Sequence, residues 1–153
     1  MNKSALTSAA SALLIGLAMG LAAPAAAQDT PSPPGAKVYF VNLKDGATVS
    51  SPVKVVFGLS GMGVAPAGIE KQGTGHHHLF INRPDLGKGP DGKDELEANI
   101  PADDKHKHFG KGQTETTLNL APGKHTLQLV LGDQNHIPHN PPVKSQIITI
   151  TVK

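Results

Sequence analysis

Between Val53 and Leu59 every second residue is apolar: Val53, Val55, Phe57 and Leu59 stand on one side of an extended chain. A period of two commits a segment to a strand, because successive strand side chains point to opposite faces. Runs of this kind recur at residues 37–43, 53–59, 76–82, 113–120, 124–131 and 145–152, with a shorter one at 96–100. No segment keeps the three-and-four spacing of a helix. Gly and Pro punctuate the runs; Asp45-Gly46 reads as a turn, and Ala121-Pro122-Gly123 reads as a hairpin connection between 113–120 and 124–131. Six to seven short strands separated by turn signals predict an all-β fold, an antiparallel immunoglobulin-like β-sandwich. With neither Cys nor Trp, the disulfide and core Trp of antibody domains are absent, so the prediction is the broader sandwich architecture.

The first 27 residues read differently. Lys3 precedes a 12-residue apolar run, residues 12–23, and Ala25 and Ala27 have the spacing a signal peptidase reads. The run is too short to span a bilayer, which needs about 20 residues. We expect a signal peptide over 1–27, a Pro-rich linker over 28–35 and one domain over 36–153, in a periplasmic or secreted protein. The formal charge of +2 falls to +1 once Lys3 is removed. The remaining basic residues are scattered, which excludes a nucleic-acid footprint. Nothing after the leader is expected to hold the chain in a membrane, and the sequence names no protein partner. Without Cys there is no route to blue copper, an iron–sulfur cluster or covalently attached haem.

The enriched residue is histidine, eight in all, at positions 76, 77, 78, 106, 108, 125, 136 and 139. Residues two apart on a strand share a face roughly 6.6–7 Å apart. His76 with His78, and His106 with His108, have that spacing, and His136 and His139 bracket Pro138. If successive connections alternate between the two ends of the sandwich, seven of the eight gather at one rim and His125 falls at the other. The hairpin expected at 113–131 gives a second reason for 106–108 to lie near 136–139. With Leu79 and Ile81 facing the core, His77 points inward as a hydrogen-bonded buried ring, and His76 and His78 point outward with Phe80. His125 aligns with Leu127, Leu129 and Leu131 and is read as structural.

All-nitrogen donor sets favour copper, zinc or nickel over magnesium and calcium. The candidate ligands are therefore His76, His78, His106, His108, His136 and His139. Asp133 is a further ligand or an orienting partner, and Met62 a soft donor from a neighbouring loop. The expected cofactor is a copper or zinc ion, held for sequestration, delivery or stability. Two alternatives stay open: a copper or zinc oxidoreductase or hydrolase, and an envelope interaction module whose His network binds no metal. No phosphate-binding loop, calcium loop or nucleophile elbow survives inspection.

The strings "GHHHLFIN", "HKHFGKGQT" and "GDQNHIPHNPP" resemble a bacterial family of secreted proteins classed as a domain of unknown function. The resemblance covers residues 75–152. It implies export and a small β domain, with His76, His78, His106, His108, Gly110, Gly112, Asp133, His136, His139, Pro141 and Pro142 at matching positions. It implies no catalytic assignment. The H-x-H strand also resembles that of copper–zinc superoxide dismutases, whose Cys pair is missing.

Overall fold

In the computed structural model, residues 30–153 are described; the expected signal peptide lies outside them. The described residues form nine strands: β1 (Lys37–Phe40), β2 (Thr48–Val49), β3 (Val53–Ser60), β4 (Gly63–Val64), β5 (Thr74–Ile81), β6 (His106–His108), β7 (Glu115–Leu118), β8 (Gly123–Gly132) and β9 (Ile148–Val152). A short 3-10 helix spans Gly92–Leu96. The fold is all-β, as expected. One sheet has the order β1-β3-β7; the other runs β2-β9-β8-β5-β4, with β6 also paired to β5. The pairings are antiparallel, except that the two-residue strands β2 and β4 lie parallel to β9 and β5.

The alternation seen in the sequence builds the interior. Val53, Val55 and Phe57 of β3 meet Leu79 and Ile81 of β5, Leu127, Leu129 and Leu131 of β8, and Ile150 of β9 in one cluster between the sheets. Leu79, Leu127, Leu129, Leu131, Val55 and Ile150 are fully buried, each contributing roughly 1.5–3 kcal/mol by leaving water.

Two expectations are overturned. Residues 96–100 form no strand: Gly92–Leu96 coils into the 3-10 turn, and Ile100 inserts into a second cluster with Phe80, Leu86 and Val130. The segment between β5 and β6 therefore folds over the outer face of the larger sheet. It is fastened by the partly buried Arg83–Glu95 ion pair and by the Leu86 N–H, which donates to Gln128 Oε1 at 3.2 Å. The second correction concerns Ala121-Pro122-Gly123. It is not a hairpin, since β7 pairs with β3 and β8 pairs with β5 and β9. The cause lies in the two strands: β7 carries Glu115 and Thr117 exposed and suits an edge, whereas β8 is buried on both faces from Leu127 to Gly132 and belongs at the centre of a covered sheet.

The first described residues are hydrogen-bonded to the body of the domain. Ser32 N–H donates to the Asn140 carbonyl and Asn140 N–H to the Thr30 carbonyl, at 3.2 and 2.9 Å, strapping this segment to the loop between β8 and β9.

Candidate metal centre

β5 opens with Gly75, His76, His77 and His78, and its register decides where each ring goes. His76 lies opposite Gly132 of β8, His78 opposite Val130, and Phe80 opposite Gln128. On its other edge β5 takes up β6, with His78 opposite His108 and Phe80 opposite His106. His76, His78 and His108 therefore share the outer face of the larger sheet. His136 arrives from the loop that leaves β8. The convergence comes from β6 docking beside β5, not from a hairpin.

These four rings form a compact group. Every pair of ring centroids lies 4.6–6.0 Å apart, and one ligand nitrogen from each ring lies within 4.8 Å of the others. His76 Nε2 stands 2.9 Å from His78 Nε2 and 3.1 Å from His136 Nδ1. Nitrogens sharing a tetrahedral zinc at 2.0–2.1 Å stand about 3.3 Å apart, so the spacing suits one ion. His76 and His78 are fully buried, His136 is partly buried and His108 is exposed. The group can hold a metal ion.

Electrostatics favour the unprotonated rings that a metal requires. Burial lowers the His76 pKa from 6.5 to about 4, helped by His108 and His136. Burial, then His76 and His108, take His78 to about 2. His108 is lowered too, by desolvation and then His136. The Nδ1 atoms of His76 and His78 are buried with no hydrogen-bond partner among the described residues.

Glycines clear the space. A Cβ on Gly132 would sit 2.7 Å from His78 Nε2, and one on Gly110 2.4 Å from His108 Nε2. Both are closer than atoms pack, so a side chain at either position would push the facing imidazole aside. Sequence reasoning passed over Gly132; the available signal was a glycine ending an otherwise apolar strand and leading into Asp133.

The remaining candidates lie elsewhere. Asp133 is buried beneath the His136 loop. Its Oδ1 accepts the N–H groups of Asn135 and Ile137 at 2.8 and 2.9 Å, and its Oδ2 accepts the Thr30 hydroxyl at 2.7 Å. It thus braces the turn in which His136 adopts a left-handed φ of 66°. That conformation is uncommon for a residue with a Cβ. His139 is buried with its ring nitrogens facing the Leu131 and Thr74 carbonyls. His106 packs edge-on against Phe80 and bonds Asp103 through Nδ1 at 2.8 Å. Met62 packs against the main core. His125 bonds Asn82 and the Ala121 carbonyl away from the group.

His77 points into the core, 5.2 Å from the Phe57 ring, but is not the satisfied ring expected: neither of its nitrogens has a hydrogen-bond partner among the described residues. Burial lowers its pKa to about 4. The Gln113 backbone offsets part of that shift, although no hydrogen bond of ordinary geometry joins the two.

Neither a curated protein nor a solved structure matches the chain. The model of a family described as a domain of unknown function, DUF4399, matches residues 55–153, the span holding all eight histidines and both clearing glycines, and the chain belongs to that family.

Proposed function

We propose that this is an exported transition-metal-binding protein that holds one copper or zinc ion among His76, His78, His108 and His136. The observation that carries the reading is the convergence of four imidazole nitrogens within 4.8 Å, from β5, β6 and the β8–β9 loop. Borderline cations suit such a donor set. A purely structural network would pair its rings with backbone groups, as His125 and His139 do. The quartet instead points nitrogens at one another and leaves two buried Nδ1 atoms unpartnered, at a cost of about 1–3 kcal/mol each. An ion at the centre would give the facing Nε2 nitrogens of His76 and His78 a shared partner in place of each other. Location outside the cytoplasm rests on the N-terminal leader pattern.

The test is elemental analysis of protein taken from the cell envelope, followed by calorimetric titration of the metal-free protein with Zn2+ and Cu2+. One ion per chain is expected. His76→Ala and His136→Ala should each weaken binding roughly 100-fold or more, and His108→Ala by at least roughly tenfold, as lost ligand bonds require. His106→Phe and His125→Ala should leave affinity unchanged. Stoichiometric binding that survives the double change at His76 and His136 would overturn the proposal.

A further inference from the structure

Beside the quartet, on the same face of the larger sheet, lies a cavity of about 300 Å3. It shares no residue with the four histidines. Its floor is apolar, formed by Phe80, Leu86 and Ile100. One wall is the Arg83 guanidinium, 5.2 Å over the Phe80 ring and neutralised by Glu95. His106, whose residue surface is 8% exposed, also lines the cavity.

The hydrogen bonding of His106 fixes what it offers. Asp103 Oδ1 can only accept, so the neutral ring carries its proton on Nδ1 and donates it across 2.8 Å. Asp103 Oδ1 also accepts the backbone N–H groups of Lys105 and His106, so the pairing is held from three directions. His106 lines the cavity, and its Nε2 makes no hydrogen bond with any described residue. Asp91 and Asp94 also line the cavity, and neither enters an ion pair with a described residue. An apolar floor, an accessible imidazole acceptor and two carboxylates without an ion-pair partner among the described residues make a complementary receptor for a donor-bearing cation with a hydrocarbon body.

We propose that this cavity is a second binding site that takes a small primary amine in its ammonium form. The hydrocarbon body would rest on Phe80, Leu86 and Ile100, with the ammonium group donating to His106 Nε2 and facing Asp91 and Asp94. The site is independent of the metal, since none of the four metal-facing rings lines it. Selectivity follows from the acceptors: an alcohol forfeits the charge attraction, and a carboxylate meets the two aspartates as a like charge.

The test uses the full mature chain, metal-free and zinc-loaded, titrated at pH 7.5 with hexylamine, hexanol and hexanoate. Binding is followed by backbone amide NMR shifts. Hexylamine should bind saturably in roughly the millimolar range, with shifts at Phe80, Leu86, Ile100 and His106. The affinity should be alike with and without zinc. Hexanol and hexanoate should bind roughly tenfold more weakly or worse. His106→Phe removes the acceptor and should cost roughly tenfold. Ala98→Trp, at an exposed lining position, should fill the cavity and abolish binding while leaving zinc affinity intact; it also keeps the test decisive if His106→Phe fails to fold. Absence of saturable shifts at these residues, equal binding of hexanoate, or undiminished binding by Ala98→Trp would overturn the proposal.

Discussion

Two single residues show how tightly the outer face is specified. Gly132→Ala would place a methyl carbon 2.7 Å from His78 Nε2, closer than atoms pack, so the ring must turn away. Zinc affinity is expected to fall at least roughly tenfold while the fold persists, since only one buried side chain must shift; calorimetry and a thermal melt check both halves. His77 makes the complementary case inside the core. Its pKa is lowered to about 4 in the folded protein, whereas the unfolded chain takes up the proton near 6.5. Its contribution is fully present above pH 6.5 and is lost as pH falls from there towards 4, by about 1.4 kcal/mol per unit. His77→Leu deletes two unpartnered polar atoms and the titration with them. It should raise stability at pH 7 by about 1–3 kcal/mol, with the margin over wild type widening at pH 5; urea denaturation at the two pH values measures it. The grouping of His76, His78, His108 and His136 was legible from two-residue spacing and loop position. The exclusion of His106 was not, because it depends on a tertiary partner, Phe80, that spacing cannot reveal.

At the scale of elements, the strap formed by Thr30–Ser32 acts on the loop that carries His136 through Asp133. The Thr30 hydroxyl and the Asn135 and Ile137 amides divide the Asp133 carboxylate between them, and that turn sets His136. Thr30→Ala is expected to weaken zinc binding several-fold, as one lost hydrogen bond to a charged group requires, and Asp133→Asn more strongly. By linkage, zinc should in turn slow amide exchange at Ser32 and Asn140; hydrogen exchange with and without zinc reads this directly. The strands β3, β5, β8 and β9 were legible because alternate apolar residues mark the face of each that enters the main core, although β5 and β8 are covered on the other face as well. The sheet to which a strand belongs was not. Ala121-Pro122-Gly123 suits a hairpin locally, yet Leu118 and Leu127 enter the core from opposite sheets. The pull of burying β8 on both faces overrides the local turn signal. Likewise β6 spans three residues, too few for a pattern to show.

For the molecule as a whole, the quartet ties three regions far apart in sequence, around His76, His108 and His136, so binding should report on global stability. An ion that binds only the folded state at 100 times its Kd adds about 2.7 kcal/mol. Zinc should accordingly raise the melting temperature by roughly 10 °C, and the His76→Ala, His136→Ala pair should abolish the rise; differential scanning calorimetry decides it. The edge position of β6 has a further bearing on kinetics. Three of the quartet's rings sit on β5 or on a braced turn, but His108 rides on a three-residue strand with a single neighbour and faces water. Fraying of those three residues is far cheaper than unfolding the sandwich. Residence time at the centre would then track the breathing of one short ribbon, letting a firmly seated ion exchange without the body of the protein coming apart.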